Sequence, residues 1–184
     1  RSPEDRQRAQ QARERQRSLH DVLAQAAQAY QKALKASPNA IDYLKGRGLS
    51  GQIAKRFGLG YAPPGWRHLA GVFPDYQDSQ LVDSGLVISH AEAGEDDKRY
   101  DRFRDRVMFP IRNVKGEHIG FGGRVLGQGE PKYLNSPETP VFHKGSELYG
   151  LFEGRKAIQD VGHALVVEGY MDVVALAQMG VAQA

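Results

Sequence analysis

The 184 residues contain no cysteine, so neither a disulfide nor a thiolate zinc site can form within them. Long apolar runs are missing too. No stretch approaches the roughly 20 residues needed to span a bilayer, and the first residues are charged and glutamine-rich where a secretory leader would carry an apolar core. A membrane role and a disulfide-stapled secreted class are set aside on these grounds, and a cytoplasmic address is expected. An excess of one charge is also lacking. The 25 basic and 22 acidic residues leave a formal charge of +3, so the total alone identifies no partner.

What is present suits a soluble globular chain: hydrophobic residues make up 40%, well above disordered compositions. The charge is unevenly placed. Between Lys98 and Lys132 lie nine cations (Lys98, Arg99, Arg102, Arg104, Arg106, Arg112, Lys115, Arg124, Lys132) against four acids (Asp101, Asp105, Glu117, Glu130). Tyr100, Phe103, Phe121 and Tyr133 are interleaved with them. Such a mixture is what a nucleic-acid track needs, and it is equally what a solvated basic face of a sheet would show.

Local patterning predicts helices first and strands later. Leu19, Val22, Leu23, Ala26, Tyr30 and Leu34 recur at three- and four-residue steps, predicting one long helix from about Pro3 to Ala36. Its turns before Leu19 are almost wholly polar and are expected to fray or to act as a linker. Ser37-Pro38 opens a second helix ending at Gly46 or Gly48, and Ser50 caps a third ending near Gly58. Tyr61-Ala-Pro-Pro-Gly65 is a breaker run, followed by short helical turns at 66–73 and 77–83. From Gly85 the period changes. Strands are expected at 86–88, 107–111 and 118–121, the last two joined through Asn113-Val-Lys-Gly116, with Pro110 marking an edge or a bulge. A glycine-rich loop at 126–131 precedes Lys132-Tyr-Leu-Asn-Ser136, and 150–159 is expected to be helical. A short strand at 164–167 then runs into Glu168-Gly169 and a helix over 170–179. The chain is expected to be a piece of a longer one, cut at both ends.

The strand-turn-helix at 164–179 is the most specific chemically. Polar groups at the carboxyl end of a strand are exposed to ligands in open parallel sheets. Glu168 and Asp172, about one helical turn apart, could together offer oxygen ligands to Mg²⁺. Alternatively, Asp172 complements a helix dipole and Glu168 is a solvated strand end. Upstream, Phe121-Gly-Gly-Arg124 would let a phosphate approach the backbone beside an arginine. Lys132, Tyr133, Asn135 and Ser136 combine a cation, a stacking ring and hydrogen-bonding groups suited to a single strand. Phe142-His143-Lys144-Gly145 adds another cation beside a ring. His143 has no second His or Cys at ligand spacing and is not expected to hold metal.

Tyr100-Asp-Arg-Phe-Arg-Asp-Arg-Val-Met-Phe-Pro-Ile111, Phe121-Gly-Gly-Arg-Val-Leu126, Lys132-Tyr-Leu-Asn-Ser-Pro-Glu-Thr139, Phe142-His-Lys-Gly145 with Leu148-Tyr-Gly150, and Val166-Val-Glu-Gly-Tyr-Met-Asp172 resemble, in order, successive motifs of the bacterial DnaG-type primase. The last resembles the opening of the Toprim fold shared with topoisomerases. The resemblance runs from about Gln28 to the end. It implies an α+β / α/β architecture: a mixed N-terminal subdomain with a short antiparallel sheet, then the first strand-turn-helix of a Toprim domain. The expected division is a linker helix over 1–36, a template-binding subdomain over 37–148 and the start of the Toprim domain over 149–184.

The same resemblance implies a DNA-dependent RNA polymerase, a nucleotidyltransferase that lays short RNA primers on single-stranded template for replication. Arg124, Lys132, Tyr133, Asn135 and Lys144 would contact template or nucleotide, with Arg56 as an addition. Glu168 and Asp172 would be the first catalytic and metal-linked carboxylates, for Mg²⁺ or Mn²⁺, in a site whose remaining members lie beyond this chain. Zinc would belong only to a preceding module. Implied partners are single-stranded DNA, ribonucleoside triphosphates, the RNA–DNA hybrid and, through a following region, the replicative helicase. The alternatives are a single-strand-binding module without activity, or another Toprim enzyme of topoisomerase or nuclease type. This piece by itself is expected to be inactive.

Overall fold

The computed structural model describes residues 2–90, 98–147, 149–150, 152–156 and 170–178. Helix α1 spans Pro3–Lys35 without a break. Its polar first turns are helical and not frayed, because Ser2 and Asp5 close a reciprocal capping box and Pro3 opens the helix. Arg15, 3.1 Å from Asp83, and Gln16, donating to the Pro140 carbonyl, tie that half to the body. The second half buries Leu19, Leu23, Ala26, Ala27, Tyr30 and Leu34 as one stripe. Helices α2 (Pro38–Gly46) and α3 (Gly51–Phe57) follow. Ser50 caps α3 by accepting from the Ile53 N–H, whereas Ser37 caps α2 by position alone.

The main sheet is antiparallel, ordered β1 (Gly60–Ala62), β4 (Arg106–Arg112), β5 (His118–Val125), β6 (Tyr133–Asn135). The supposed breaker run therefore begins with a strand. Tyr61 faces Val107 across the ladder, a long-range pairing that local turn signals at Pro63-Pro64 conceal. A second ribbon pairs β2 (Val87–Ser89) with β3 (Arg99–Asp101). The 3-10 turn His68–Gly71 and helix α4 (Ser79–Asp83) lie between β1 and β2. Pro110 sits just past the stretch of β4 that β1 covers, one residue before a register shift at Ile111/Arg112, where a missing N–H costs no ladder bond to β1. The β4–β5 turn is closed by the Gly116 N–H donating to the Asn113 carbonyl, with Gly116 at φ +85°.

Both faces of β4 are covered, since alternate side chains point to opposite sides. Met108 joins Leu23, Ala26, Tyr30, Phe103 and Phe121 on the α1 side. Val107 and Phe109 join α2, α3 and helix α5 (Tyr170–Gln178) on the other. Helix α5 is fastened to α3 by Gln178, whose Oε1 accepts from the Ser50 N–H at 2.6 Å and whose amide donates to the Gly48 carbonyl. Residues 152–156 form a helical turn. Glu168, the strand expected at 164–167 and the acidic loop at 92–97 lie outside the described residues.

Candidate nucleic-acid interface

The basic segment does not form one uniform face. Arg106, 5% exposed, spends its guanidinium on the carbonyls of Gly123, Pro131 and Lys132, at 3.3, 2.7 and 3.3 Å. Arg102 donates to Gly85 O, and Arg112 pairs with Glu153 at 2.6 Å. Burial pulls the pKa of both Arg102 and Arg106 below the usual guanidinium range. These three arginines hold the fold together, and Arg106 in particular anchors the loop that carries Lys132.

Other cations of the segment are accompanied by rings. On β5, Arg124 lies between Tyr43 of α2 and Tyr133 of β6, with centroids 5.7 and 5.6 Å away. Lys132 approaches the same Tyr133 ring at 5.9 Å, and Tyr133 is itself exposed. Arg124 donates to the Val125 carbonyl, and its Nε is buried without a partner. Among the described residues no carboxylate pairs with the side chain of Arg124, Lys132 or Lys144.

A second platform was not visible in the sequence. Trp66 is 63% exposed, with the Arg104 guanidinium 4.1 Å from its ring and Tyr100 edge-on at 5.5 Å. His90 bonds the Tyr100 hydroxyl at 2.8 Å. A single tryptophan in a 184-residue chain is usually taken as core, so only its exposure reveals this role. Arg104 and Arg124 add to the burial that disfavours the charge of Arg106.

Asn135 and Lys144 meet in a pocket of about 210 Å³ that also includes Glu147 and Tyr170. The Tyr170 hydroxyl donates to Asn135 Oδ1. The Tyr170 ring stacks on Phe109 at 5.3 Å and lies edge-on to Tyr149 at 4.8 Å, and burial pushes its hydroxyl up to about 12. This ring explains Gly122, where any Cβ would collide with it. A Cβ at Gly123 would press on Phe103 and Arg106 at 3.0–3.1 Å. The glycine pair before Arg124 is thus required by packing, and the expectation that it opens the backbone to phosphate is corrected. Arg56 belongs to neither group. It donates to the Glu153 carbonyl at 3.1 Å, beside the Arg112–Glu153 pair.

Asp172 is exposed on α5, where its carboxylate is accessible to a ligand. Among the described residues no group of three His, Cys, Asp or Glu could hold a metal ion. By themselves they do not fit a resident metal. No helix among them is long and apolar enough to cross a membrane.

Residues 29–155 match the family described as DNA primase catalytic core, N-terminal domain. A DNA primase from Pseudomonas putida is 58% identical over 173 residues, covering 90% of this chain and 26% of that protein. The crystal structure of a DNA primase domain from Pseudomonas aeruginosa is 56% identical with a TM-score of 0.82, covering 90% of this chain and 52% of that one. A DnaG primase catalytic domain solved bound to ssDNA is 46% identical with a TM-score of 0.81, covering 92% of this chain and 53% of that one. The chain spans about a quarter of the length of the curated relatives and about half that of the solved domains. With the matched family region running from the last turns of α1 to the 152–156 turn, the same mixed helix-and-sheet fold and this level of identity, the chain belongs to the bacterial DnaG-type primase family, in the N-terminal part of its catalytic core.

Proposed function

We propose that this chain is the template-holding front of a primase that copies single-stranded DNA into short RNA primers. The observation that carries this is Arg124 held between the Tyr43 and Tyr133 rings, with Lys132 over the second ring and no carboxylate pairing any of these cations among the described residues. Rings receive unstacked bases while the cations meet phosphates, and this combination tolerates sequence variation. The Trp66–Tyr100–Arg104 platform extends the same chemistry along the strand's path. A related catalytic domain solved with ssDNA, 46% identical, supports the choice of ligand.

In the whole enzyme the reaction is attack of a ribonucleotide 3′-hydroxyl on the α-phosphate of the next triphosphate, with loss of pyrophosphate. A divalent cation, Mg²⁺ or Mn²⁺, would stabilise charge on the transferring phosphoryl group. Asp172 and Glu168 would lend it carboxylate oxygens, its other ligands coming from elsewhere. This chain's own contribution is to bind and orient. Lys144 and the Asn135 amide would hold the nucleotide in their pocket, and Arg124 and Lys132 would fix the template. The RNA–DNA hybrid and the replicative helicase would be partners of the whole protein, and this piece alone would synthesise no primer.

The test is salt-dependent binding of single-stranded DNA. Three or four phosphate contacts give a log–log slope of about −2 to −3, and Arg124→Ala or Lys132→Ala should each flatten it by about 1. Asp172→Ala should leave binding nearly unchanged. Binding that ignored salt and both of these cations would refute the groove.

A further inference from the structure

Asn135 ends the strand that carries Tyr133 and lines the Lys144 pocket, yet an exposed asparagine rotates freely unless something holds it. An amide has two unlike ends, an acceptor oxygen and a donor NH₂. Here the oxygen is engaged by the Tyr170 hydroxyl, while the NH₂ has no protein acceptor among the described residues. The donor end is therefore the one left for a ligand.

Tyr170 is built to hold that hydroxyl in place. Its ring occupies the space that only glycine leaves at 122. It is stacked on Phe109 with an interplanar angle of 16° and braced by Tyr149 at 82°. A ring clamped on three sides cannot swing, so the hydroxyl points one way.

We propose that Tyr170 is a positioning residue: through its hydroxyl it fixes the Asn135 amide so that the NH₂ faces the Lys144 pocket, where it donates to an oxygen of a bound ribonucleoside triphosphate. The proposal rests on the nucleotide reading given under Proposed function. It also gives a purpose to the polar contact by which strand β6 and helix α5, far apart in sequence, meet.

Tyr170→Phe keeps the ring, the stack and the fit to Gly122, and deletes only the hydroxyl. With ATP as the probe, its dissociation constant should rise about fivefold, the usual worth of one neutral hydrogen bond. Asn135→Ala should cost a similar factor, and the double variant should be no worse than Asn135→Ala alone, because both remove the same bond. The side-chain NH₂ resonances of Asn135 should shift when ATP is added to the parent chain and should collapse toward free-amide positions in Tyr170→Phe. The inference is overturned if Tyr170→Phe binds ATP like the parent, if the two losses multiply, or if ATP leaves the Asn135 resonances unmoved. Lys144→Ala, titrated with ATP alongside the parent, separates the cases. A parent that does not bind ATP, or binds it no better than Lys144→Ala, refutes the nucleotide reading, whereas Lys144-dependent binding with a silent Asn135 refutes only this inference.

Discussion

Arg106 and Arg124 lie on paired strands, near the same end of the sheet, and their side chains do opposite work. Arg106 is 5% exposed and satisfies three carbonyls with its guanidinium. Arg124 makes one hydrogen bond to its own strand and otherwise lies against two tyrosine rings. A guanidinium enclosed by carbonyls is a structural rivet, since its removal leaves buried acceptors unpaired. A guanidinium flanked by rings and lacking a carboxylate keeps donors for the template contact proposed above. Residue type and sequence neighbourhood are alike for the two. Only the disposition of their donors distinguishes structure from binding.

Arg106→Met is the sharpest way to break this contrast, and it should be the most destabilising change in the group. Three carbonyls lose a donor, that of Lys132 keeping a further one in the Val125 N–H, at a cost of about 3 kcal/mol in urea denaturation. Single-strand affinity should fall only as the folded fraction falls. A loss under about 1 kcal/mol with a large drop in affinity would mean that Arg106 is a ligand contact and the contrast is false.

His118 tests the same contrast through pH. Burial, the nearby Arg112 and His20 lower its pKa from 6.5 to about 4, so the fold favours the neutral ring. Between those values the unfolded chain binds more protons, so stability rises with pH. The contribution is complete above about pH 6.5 and is lost as pH falls toward 4. Lowering the pH from 7.5 to 5 should cost about 2 kcal/mol from this group, and His118→Gln should remove that part of the slope. Equal slopes in parent and variant would show that the ring is not excluded from charging.

Features set by neighbouring residues were legible in the sequence. The α1 stripe, the Ser50 cap and the β4–β5 hairpin with Gly116 all follow from periodicity or short spacing. Features set by distant pairing were not. Strand β1 hides behind Pro63-Pro64 because its partner is 48 residues on, Gly60 facing Met108. Strand β3 carries Arg99 and Asp101, a poor strand signal. Asp101 is nonetheless buried, because it accepts from the Leu69 N–H and the Tyr76 hydroxyl at 3.1 and 2.8 Å. Gly122 suggested backbone access, yet it is there to admit a ring from residue 170. For the candidate site, residue types pointed to Arg124, Lys132 and Tyr133 and to the pair Asn135 and Lys144. They could not show that Arg56 bonds elsewhere, or that Tyr43 and Trp66 supply rings.

Trp66→Ala should have the smallest effect on stability and still impair binding. The indole is 63% exposed and packs chiefly against Arg104 and Tyr100, so the melting free energy should move by no more than about 0.5 kcal/mol. If a base stacks there, affinity for single-stranded DNA should fall about tenfold, the scale of one base–aromatic contact. Because a ring carries no charge, the log–log salt slope should stay that of the parent, whereas Arg104→Ala should flatten it by about 1. Trp66→Phe, which keeps a smaller stacking face, should recover part of the lost affinity. A Trp66→Ala chain that binds single strands as tightly as the parent would confine the interface to Arg124, Lys132 and their rings. A destabilisation of 2 kcal/mol or more would instead place Trp66 with Arg106, among the residues that hold the fold.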